Sequence, residues 1–395
     1  MRVALCLLPL LFALTLGAAR ACAEPQIVAP AAVVLDLKTG QVLYAKEATR
    51  RMYPASTTKI LTALVVLQNA KLDDRIRASE GAVCTEGSAI WLRKGEELAV
   101  RDALYALLLN SANDVATALA EKVGGSVANF VRLMNRTAKA CGATDSHFNN
   151  PHGLPDENHY TTALDLARIT RVAMGNKVFR EIVATKTKTI RRDNPEDLSL
   201  LINHNKLLWR YEGATGVKTG YTTQAGQCLV ASARRDGREL IAVVLGSVGA
   251  NVWQDAAALL DYGFSAYRLV ELVREGQVIG SVPVAGGVGP VTLKVARSLW
   301  YNLPADKPAL TLPNWRLSLA PVEAPVAQGQ TLGEVVFTGP SGELGRVAVV
   351  AAQAVVRQPR WPGVAKGLSA GGGLFLMLAA LWAVRKRRRQ RLFRR

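Results

Sequence analysis

The chain has 395 residues, of which 49% are hydrophobic, and a formal net charge of +18. This length is enough for two domains with buried cores, and the composition excludes a disordered chain. Long apolar runs occur only at the two ends, which excludes a protein with many membrane spans. Eight Lys and Arg residues follow Val384 and two precede residue 24, which leaves +8 for the chain between them. Such a charge does not require a nucleic-acid partner, and we predict none.

The N-terminus has the pattern of a secretory signal peptide. A positive start at Arg2 is followed by an apolar stretch at 3–16 and by the small-x-small sequence Ala21-Cys22-Ala23. We predict a signal peptide over 1–23, cleaved after Ala23. An uncleaved anchor is the alternative, which the short apolar stretch disfavours. A lipoprotein signal at Cys22 is disfavoured because Arg20 stands where a small or apolar residue is needed.

A second apolar run, 367–384, is directly followed by the basic tail 385–395. Eighteen residues at helical rise can cross the hydrocarbon core, and a basic flank stays on the cytoplasmic side. We therefore predict a transmembrane helix at 367–384, a linker at 357–366 and a catalytic body outside the cytoplasm. An amphipathic helix in the interface is the alternative, disfavoured because the run has no polar face.

Between the two ends, the first predicted domain is an α/β (α+β) domain over 24–267. Strand patterns at 31–37 and 42–45 predict a hairpin, and helical periodicity dominates 56–174. Strand patterns return at 217–221, 228–233 and 240–245, the last two joined by an Asp236-Gly237 turn. Because these strands flank a helical block, we expect one antiparallel sheet with helices packed against it.

The second predicted domain is a small all-β domain over 268–356. Glycine and proline separate its short strand patterns, which lie at 280–282, 291–295, 310–312, 317–319, 335–337 and 347–350.

Cysteine and histidine usage gives no metal site. The cysteines after the signal have no metal-ligand spacing, and their odd number leaves at least one free thiol; we expect small buried side chains at Cys84, Cys141 and Cys228. The histidines lack a His-Glu-x-x-His pattern, so we expect loop and packing roles for His147, His152, His159 and His204. We predict no metal and no cofactor.

The first motif that can carry chemistry is Ser56-Thr57-Thr58-Lys59, at the start of a predicted helix. Residues three apart share a helix face, so the Lys59 amine can reach the Ser56 hydroxyl. A lysine with a lowered pKa can take the proton of a serine and make it a nucleophile. A helix cap followed by an exposed lysine explains this motif equally well when it is taken alone.

The second motif is Ser111-Ala112-Asn113, between a helix ending near Leu109 and one beginning near Asp114. Both polar side chains can leave the backbone there and point into a cleft. A serine hydroxyl can relay a proton, and an asparagine amide can hold a substrate carbonyl. Taken alone, a helix N-cap explains the motif as well.

The third motif is Lys218-Thr219-Gly220, in a predicted strand. The lysine supplies positive potential, the threonine hydroxyl can bind a carboxylate, and the glycine lets another main chain approach closely. An ordinary turn is the alternative for this motif alone.

The three motifs, in this order and in helix, loop and strand contexts, resemble those of β-lactamases and penicillin-binding proteins. More closely, the chain resembles the low-molecular-mass penicillin-binding proteins, which are serine D-alanyl-D-alanine carboxypeptidases of the DD-peptidase type. The resemblance covers about 26–264 and includes further blocks at 149–155, 159–163, 203–208 and 225–230. It implies a serine β-lactamase/DD-transpeptidase-like fold, and the following β domain and the C-terminal membrane element also fit the family.

For the reaction, the resemblance implies that the enzyme removes the terminal D-alanine from peptidoglycan stem pentapeptides. Ser56 would attack the carbonyl between the two D-alanines, and Lys59 would accept its proton. Ser111 with Lys218 would pass a proton to the leaving amine. Water would then release the acyl-enzyme, and β-lactam antibiotics would be inhibitors.

For substrate binding, the resemblance implies that Asn113 holds the substrate amide and Thr219 contacts the terminal carboxylate. Main-chain N–H groups of Ser56 and Tyr221 would form the oxyanion hole, beside Gly220. Some carboxypeptidases use an arginine for this carboxylate, and the corresponding position here is Val252. We therefore ask whether Val252→Arg would raise kcat/KM.

Two other functions agree less well with the sequence. A secreted β-lactamase is disfavoured because no counterpart of its water-activating glutamate stands out in the sequence. A catalytically silent wall-binding module is disfavoured because Ser56 and Lys59 are both present.

Overall fold

A computed structural model describes residues 23–194, 196–306, 314–339 and 342–359. These residues form two compact units: one runs to residue 272 and includes 300–306, and the other comprises 273–299 and the residues from 314 onward. No helix within the described ranges is long and apolar enough to span a bilayer. The predicted transmembrane run 367–384, the basic tail and all of the predicted signal peptide except Ala23 lie outside those ranges.

The secondary structure follows chain order. The helices are α1 (Lys59–Asn69), α2 (Glu80–Val83), α3 (Val100–Leu109), α4 (Asn113–Gly124), α5 (Val127–Ala140), α6 (Ala163–Ala173), α7 (Lys177–Ala184), α8 (Leu207–Arg210) and α9 (Asn251–Ala266). The strands are β1 (Ala31–Asp36), β2 (Val42–Lys46), β3 (Arg75–Arg77), β4 (Glu97–Ala99), β5 (Thr187–Thr189), β6 (Leu200–Ile202), β7 (Ala214–Thr222), β8 (Gly226–Arg235), β9 (Arg238–Ser247), β10 (Tyr267–Val273), β11 (Val278–Pro283), β12 (Pro290–Val295), β13 (Leu299–Pro304), β14 (Asn314–Leu319), β15 (Thr331–Gly339) and β16 (Gly342–Ala351).

The first unit is built on one antiparallel sheet in the order β2-β1-β9-β8-β7. This confirms the predicted sheet, the N-terminal hairpin and the pairing of early with late strands. The turn between β8 and β9 has φ of +48° at Asp236 and +76° at Gly237, as a tight primed hairpin turn requires. Because β7 is at the end of this order, one of its edges has no neighbouring strand within the sheet.

Alternating side chains of the sheet belong to two hydrophobic cores. Val33 and Val243 pack in the larger core with α1, α3, α4 and α6, whereas Ala32 and Val244 pack in the smaller core with α9. In α1, every residue from Lys59 to Val66 is buried, so this helix lies inside the unit and carries its lysine with it.

The second unit contains a five-stranded antiparallel sheet in the order β11-β12-β16-β15-β14. The strands predicted at 280–282, 291–295, 317–319, 335–337 and 347–350 are all present, whereas 310–312 lies outside the described residues. Strands β10 and β13 pair with each other, and 300–306 belongs to the first unit rather than to the all-β unit predicted over 268–356. Buried Asn302 explains this: its side chain donates to Thr39 Oγ1 and accepts from Arg238.

The cysteines follow the prediction only in part. Cys228 is buried and Cys141 is half-buried, but Cys84 is exposed. Cys84 follows α2, a single helical turn in which only Ala82 is buried, so the turn has no inward position left for the thiol.

Candidate active site

Ser56 lies in a short 3-10 turn, Ala55–Thr58, immediately before α1. Thr57 Oγ1 donates to Pro54 O at 2.6 Å, and the Thr58 hydroxyl is 2.9 Å from His159 Nε2. Both threonines are buried, whereas Ser56 is partly exposed. The turn therefore holds Ser56 in a fixed place and leaves it reachable from solvent.

Lys59 is fully buried at the start of α1, and its Nζ lies 3.1 Å from Ser56 Oγ. The same nitrogen donates to Asn113 Oδ1 and to His152 O, both at 2.6 Å. Burial lowers the pKa of Lys59 well below its ordinary value; the nearby Lys218 lowers it further, while Asp114 raises it. A lysine whose pKa is lowered in this way can act as a base.

The Asn113 amide is shared between the lysine and a neighbouring loop. Its Oδ1 accepts from Lys59, and its Nδ2 donates to Glu86 O at 2.6 Å. A primary amide has two N–H groups, so one remains for a substrate carbonyl. The next residue, Asp114, is 1% exposed and accepts the main-chain N–H of Leu92 at 3.0 Å.

Ser111 lies in the predicted turn between α3 and α4 and is 4% exposed. Its φ of +62° is unusual for a residue other than glycine, and such strain often occurs at functional sites. Its hydroxyl has no hydrogen-bond partner among the residues that the structure describes. The structure thus confirms the turn but shows no hydrogen bond that links Ser111 to Lys59 or Lys218.

The third motif lies on β7, as predicted, and β7 packs against the Ser56 turn. Lys218 is 1% exposed, its Nζ donates to Thr219 O at 2.8 Å, and burial lowers its pKa to about 7. Gly220 is buried against the main chain of the turn, whereas Tyr221 is 60% exposed. β7 therefore combines one buried cation with a strand edge that pairs with no other strand of the sheet.

A loop that includes His152 and Gly153 closes the site behind Ser56. His152 supplies the carbonyl that accepts from Lys59, and a Cβ on Gly153 would lie 1.9 Å from Ala55 O. Gly153 has φ +92°, so both its conformation and its contact require a glycine. The block at 149–155 thus positions the Ser56 turn and Lys59.

Val252 does not lie where an arginine could serve the substrate. It is 2% exposed on α9 and packs in the smaller core, on the sheet face away from the core that contains α1. The structure therefore does not support an arginine at this position as a carboxylate ligand, because it would be buried among apolar side chains.

With this geometry established, comparison with known proteins identifies the family. Residues 18–249 match the profile of the S11 peptidases, described as D-alanyl-D-alanine carboxypeptidase. The chain belongs to this family. It is a serine-type D-alanyl-D-alanine carboxypeptidase, and neither the β-lactamase nor the silent module is favoured.

Relatives and solved structures agree with the assignment. This carboxypeptidase is 33% identical over 325 residues to D-alanyl-D-alanine carboxypeptidase DacF of Bacillus subtilis, covering 78% of this chain and 81% of that protein. It is similar to the crystal structure of penicillin binding protein 5 from Haemophilus influenzae, with a TM-score of 0.74 and 29% identity, covering 85% of this chain and all of the other. The Streptomyces K15 DD-transpeptidase gives a TM-score of 0.59 at 35% identity, covering 62% and 100%.

Sequence reasoning missed several residues that shape the site of this carboxypeptidase. Asp114 is one of these residues, and its sequence signal is a charged side chain directly after the second motif. The sequence predicted loop and packing roles for His159, but it contacts the Ser56 turn through Thr58. The contribution of His152 comes from a main-chain carbonyl, which leaves no side-chain signal in a sequence.

Proposed function

We propose that the carboxypeptidase removes the terminal D-alanine of peptidoglycan stem pentapeptides through an acyl-enzyme on Ser56. The observation that carries this proposal is the hydrogen bonding of Lys59 Nζ. Its two 2.6 Å contacts are to oxygens that can only accept, and the third neighbour, at 3.1 Å, is the Ser56 hydroxyl. A neutral amine has two N–H groups and one lone pair, so the lone pair is left for the serine proton.

In this proposal, acylation uses the groups of the three motifs. Ser56 Oγ bonds to the carbonyl carbon between the two D-alanines while its proton passes to Lys59. The main-chain N–H groups of Ser56 and Tyr221 stabilise the oxyanion. Ser111 with Lys218 delivers a proton to the leaving D-alanine amine, and water hydrolyses the ester to free Ser56.

The free edge of β7 supports a binding mode for the peptide. An extended peptide can add to an exposed sheet edge through main-chain hydrogen bonds. Thr219 and Lys218 would then meet the terminal carboxylate, and Asn113 the substrate amide. β-Lactams, which carry an acylating carbonyl next to a carboxylate, would occupy the same groups and acylate Ser56.

The chemistry is tested by D-alanine release from a peptide that ends in Lys-D-Ala-D-Ala. We expect release by the full-length protein and none by Ser56→Ala. A fluorescent penicillin should label the wild type covalently and leave Ser56→Ala unlabelled. Release or labelling that survives in Ser56→Ala would assign the nucleophile elsewhere.

We also propose that the enzyme acts outside the cytoplasm, anchored by residues 367–384. The signal-peptide pattern at 1–23 and the basic tail at 385–395 support this topology. Its test is protease digestion of spheroplasts: the catalytic unit should be cut while a tag after Arg395 stays protected. Deletion of 367–395 should move the enzyme to the soluble fraction, and retention on the membrane would contradict the anchor.

A further inference from the structure

Trp91 is the most exposed large apolar side chain among the residues that the structure describes, at 74%. Its φ is +61°, in the left-handed region that is costly for a bulky residue. Its neighbours Ile90 and Leu92 are both buried. Trp91 is therefore held in solvent by the fixed main chain on either side of it.

The loop that carries Trp91 is fastened by a buried ion pair. Arg192, whose side chain is 1% exposed, pairs with Glu96 at 2.8 Å. The same guanidinium donates to Ile90 O at 2.6 Å and to Trp91 O at 3.2 Å. Two hydrogen bonds from the Arg192 guanidinium thus fix the main chain of Ile90 and Trp91.

A second set of hydrogen bonds connects the loop to the catalytic centre. Asn113, which contacts Lys59, donates its main-chain N–H to Ser88 O at 2.6 Å and its side-chain amide to Glu86 O. Asp114 accepts the N–H of Leu92. The position of the Trp91 loop is therefore set by the same turn that positions the lysine.

Further exposed apolar side chains adjoin this loop. Arg192 also donates to Leu198 O at 3.1 Å, which brings the main chains of Leu198 and Trp91 to one guanidinium. On β6, Leu200 and Ile202 are about half exposed on one face, while Leu201 between them is buried. We define the apolar band as Trp91, Leu198, Leu200 and Ile202.

The apolar band leads towards the catalytic cleft. Two residues beyond Ile202, the His204 N–H donates to Leu109 O, directly before the turn that contains Ser111. β5 pairs with β6, and Thr187 and Thr189 lie opposite Ile202 and Leu200, whereas Lys188 lies opposite the buried Leu201, on the other face. The apolar band is thus bordered by threonine hydroxyls on its own face of the two strands.

We propose that the apolar band binds the glycan strand of the wall polymer while the attached stem peptide occupies the cleft. The proposal rests on the proposed function and deepens it by naming the part of the substrate that lies outside the cleft. Sugar rings present flat C–H faces with polar rims, which suit an indole beside aliphatic side chains. The threonine hydroxyls beside the band suit the polar rims of the rings. The charge of +8 on the chain between its two ends suits a polymer with acidic stem peptides.

Two other occupants fit the band less well. A stable interface with a second copy uses roughly 20–30 residues a side, against four side chains here. Attachment to anionic lipid uses clusters of about four to eight basic residues. Beside Trp91, Arg93 is paired with Asp197 and Lys94 with Glu80, which leaves little positive charge for lipid. Both occupants are outcomes of the experiment.

The experiment compares two substrates with the full-length protein. One is a sugar-free peptide ending in Lys-D-Ala-D-Ala, and the other is polymeric peptidoglycan with pentapeptide stems. For Trp91→Ala and Leu200→Ser, we expect D-alanine release from the polymer to fall by roughly 10-fold, as at a binding hot spot, with release from the peptide within about 2-fold of wild type. The matched control is Trp315→Ala, an exposed tryptophan of the second unit, which should change neither rate.

A binding measurement separates this proposal from the catalytic one. Co-sedimentation with insoluble peptidoglycan, in a Ser56→Ala background, should weaken when Trp91 is replaced even if no substrate is turned over. Equal losses on both substrates would place Trp91 in the catalytic centre, and unchanged polymer rates and binding would leave the band without this role. If Trp91→Ala weakens binding to phosphatidylglycerol vesicles and leaves the polymer rate unchanged, the band binds lipid. If the wild type is a dimer and Trp91→Ala is a monomer, the band contacts a second copy. Either result overturns the proposal.

Discussion

Gly220 stands directly against the main-chain nitrogen of Ser56: a Cβ at position 220 would lie 2.8 Å from Ser56 N and 3.0 Å from Thr57 N. These are backbone atoms at the start of a buried helix, so they cannot move aside as a flexible side chain could. The third motif therefore helps to set the position of the first.

This contact makes Gly220→Ala a geometric test of the site. We expect kcat/KM for D-alanine release to fall on the order of 100-fold, because displacement of a nucleophile by a fraction of an ångström disrupts attack and oxyanion binding together. The control is Gly81→Ala in α2, where a Cβ would meet only ordinary contacts at 3.6 Å or more. Equal activity of the two variants would show that the close approach is not needed.

Burial of Lys218 should lower the free energy of unfolding near neutral pH, although we expect the residue to be needed for activity. Burial lowers its pKa from 10.5 to about 7, so between these values the unfolded chain binds more protons and stability rises with pH. We expect Lys218→Met to stabilise the enzyme by on the order of 1–4 kcal/mol at pH 7 and to abolish activity. Urea unfolding at pH 7 and pH 10 checks this, since the advantage of the variant should shrink at the higher pH. A variant less stable than wild type at pH 7 would contradict it.

His159 should make stability sensitive to acid. Its Nδ1 accepts the N–H of Asn149, so the neutral ring donates from Nε2 to Thr58 Oγ1. Burial lowers the pKa of His159 from 6.5 to about 4, so the unfolded chain binds the extra proton between these values and stability falls as pH drops from about 6.5 to about 4. The loss should reach up to about 3 kcal/mol.

The matched variant for this prediction is His159→Gln, whose amide can replace both hydrogen bonds but cannot titrate. Unfolding at pH 4.5 and pH 7.5 should show a smaller pH dependence in the variant than in wild type. His152, whose pKa burial lowers to about 3, should keep part of the dependence. An identical dependence in both proteins would show that His159 is not its source.

Removal of one partner of the Arg192–Glu96 ion pair should lower the free energy of unfolding. Arg192→Met would leave the Glu96 carboxylate, 4% exposed, without its partner. We expect a loss of about 3–5 kcal/mol in the free energy of unfolding, with partial recovery in the Arg192→Met and Glu96→Met double variant. Denaturant unfolding of the wild type and the two variants checks this. A single variant as stable as wild type would show that the Glu96 carboxylate does not depend on Arg192.

Val252→Arg should lower stability instead of raising activity. A guanidinium at this position would enter the smaller core beside Ala256 and Leu259. We expect a fall of several °C in melting temperature and no gain in kcat/KM. A gain would show that the side chain reaches the cleft in spite of its burial.

Much of the fold and site could be predicted because the signals were local. The Asp236-Gly237 turn, the hairpin at 31–46 and the lysine three residues after Ser56 each depend on neighbours in the chain. The remainder depends on contacts across the fold. No local pattern shows that Gly220 meets Ser56, that Val252 faces the second core, or that Asn302 fixes its strand to the first unit.

The central sheet also constrains when the catalytic unit can form. Ala31 of β1 pairs with Leu245 of β9, more than half of the chain away. Until β9 is available, β1 lacks this neighbour, and the Ser56 turn lacks the β8 and β7 strands that pack behind it. Pairing at such long range is slow because a large loop must close before any contact compensates for the lost entropy. The order of strands thus delays assembly of the Ser56 site until nearly the whole catalytic unit has been synthesised, so a partly synthesised chain cannot carry the hydrolase activity.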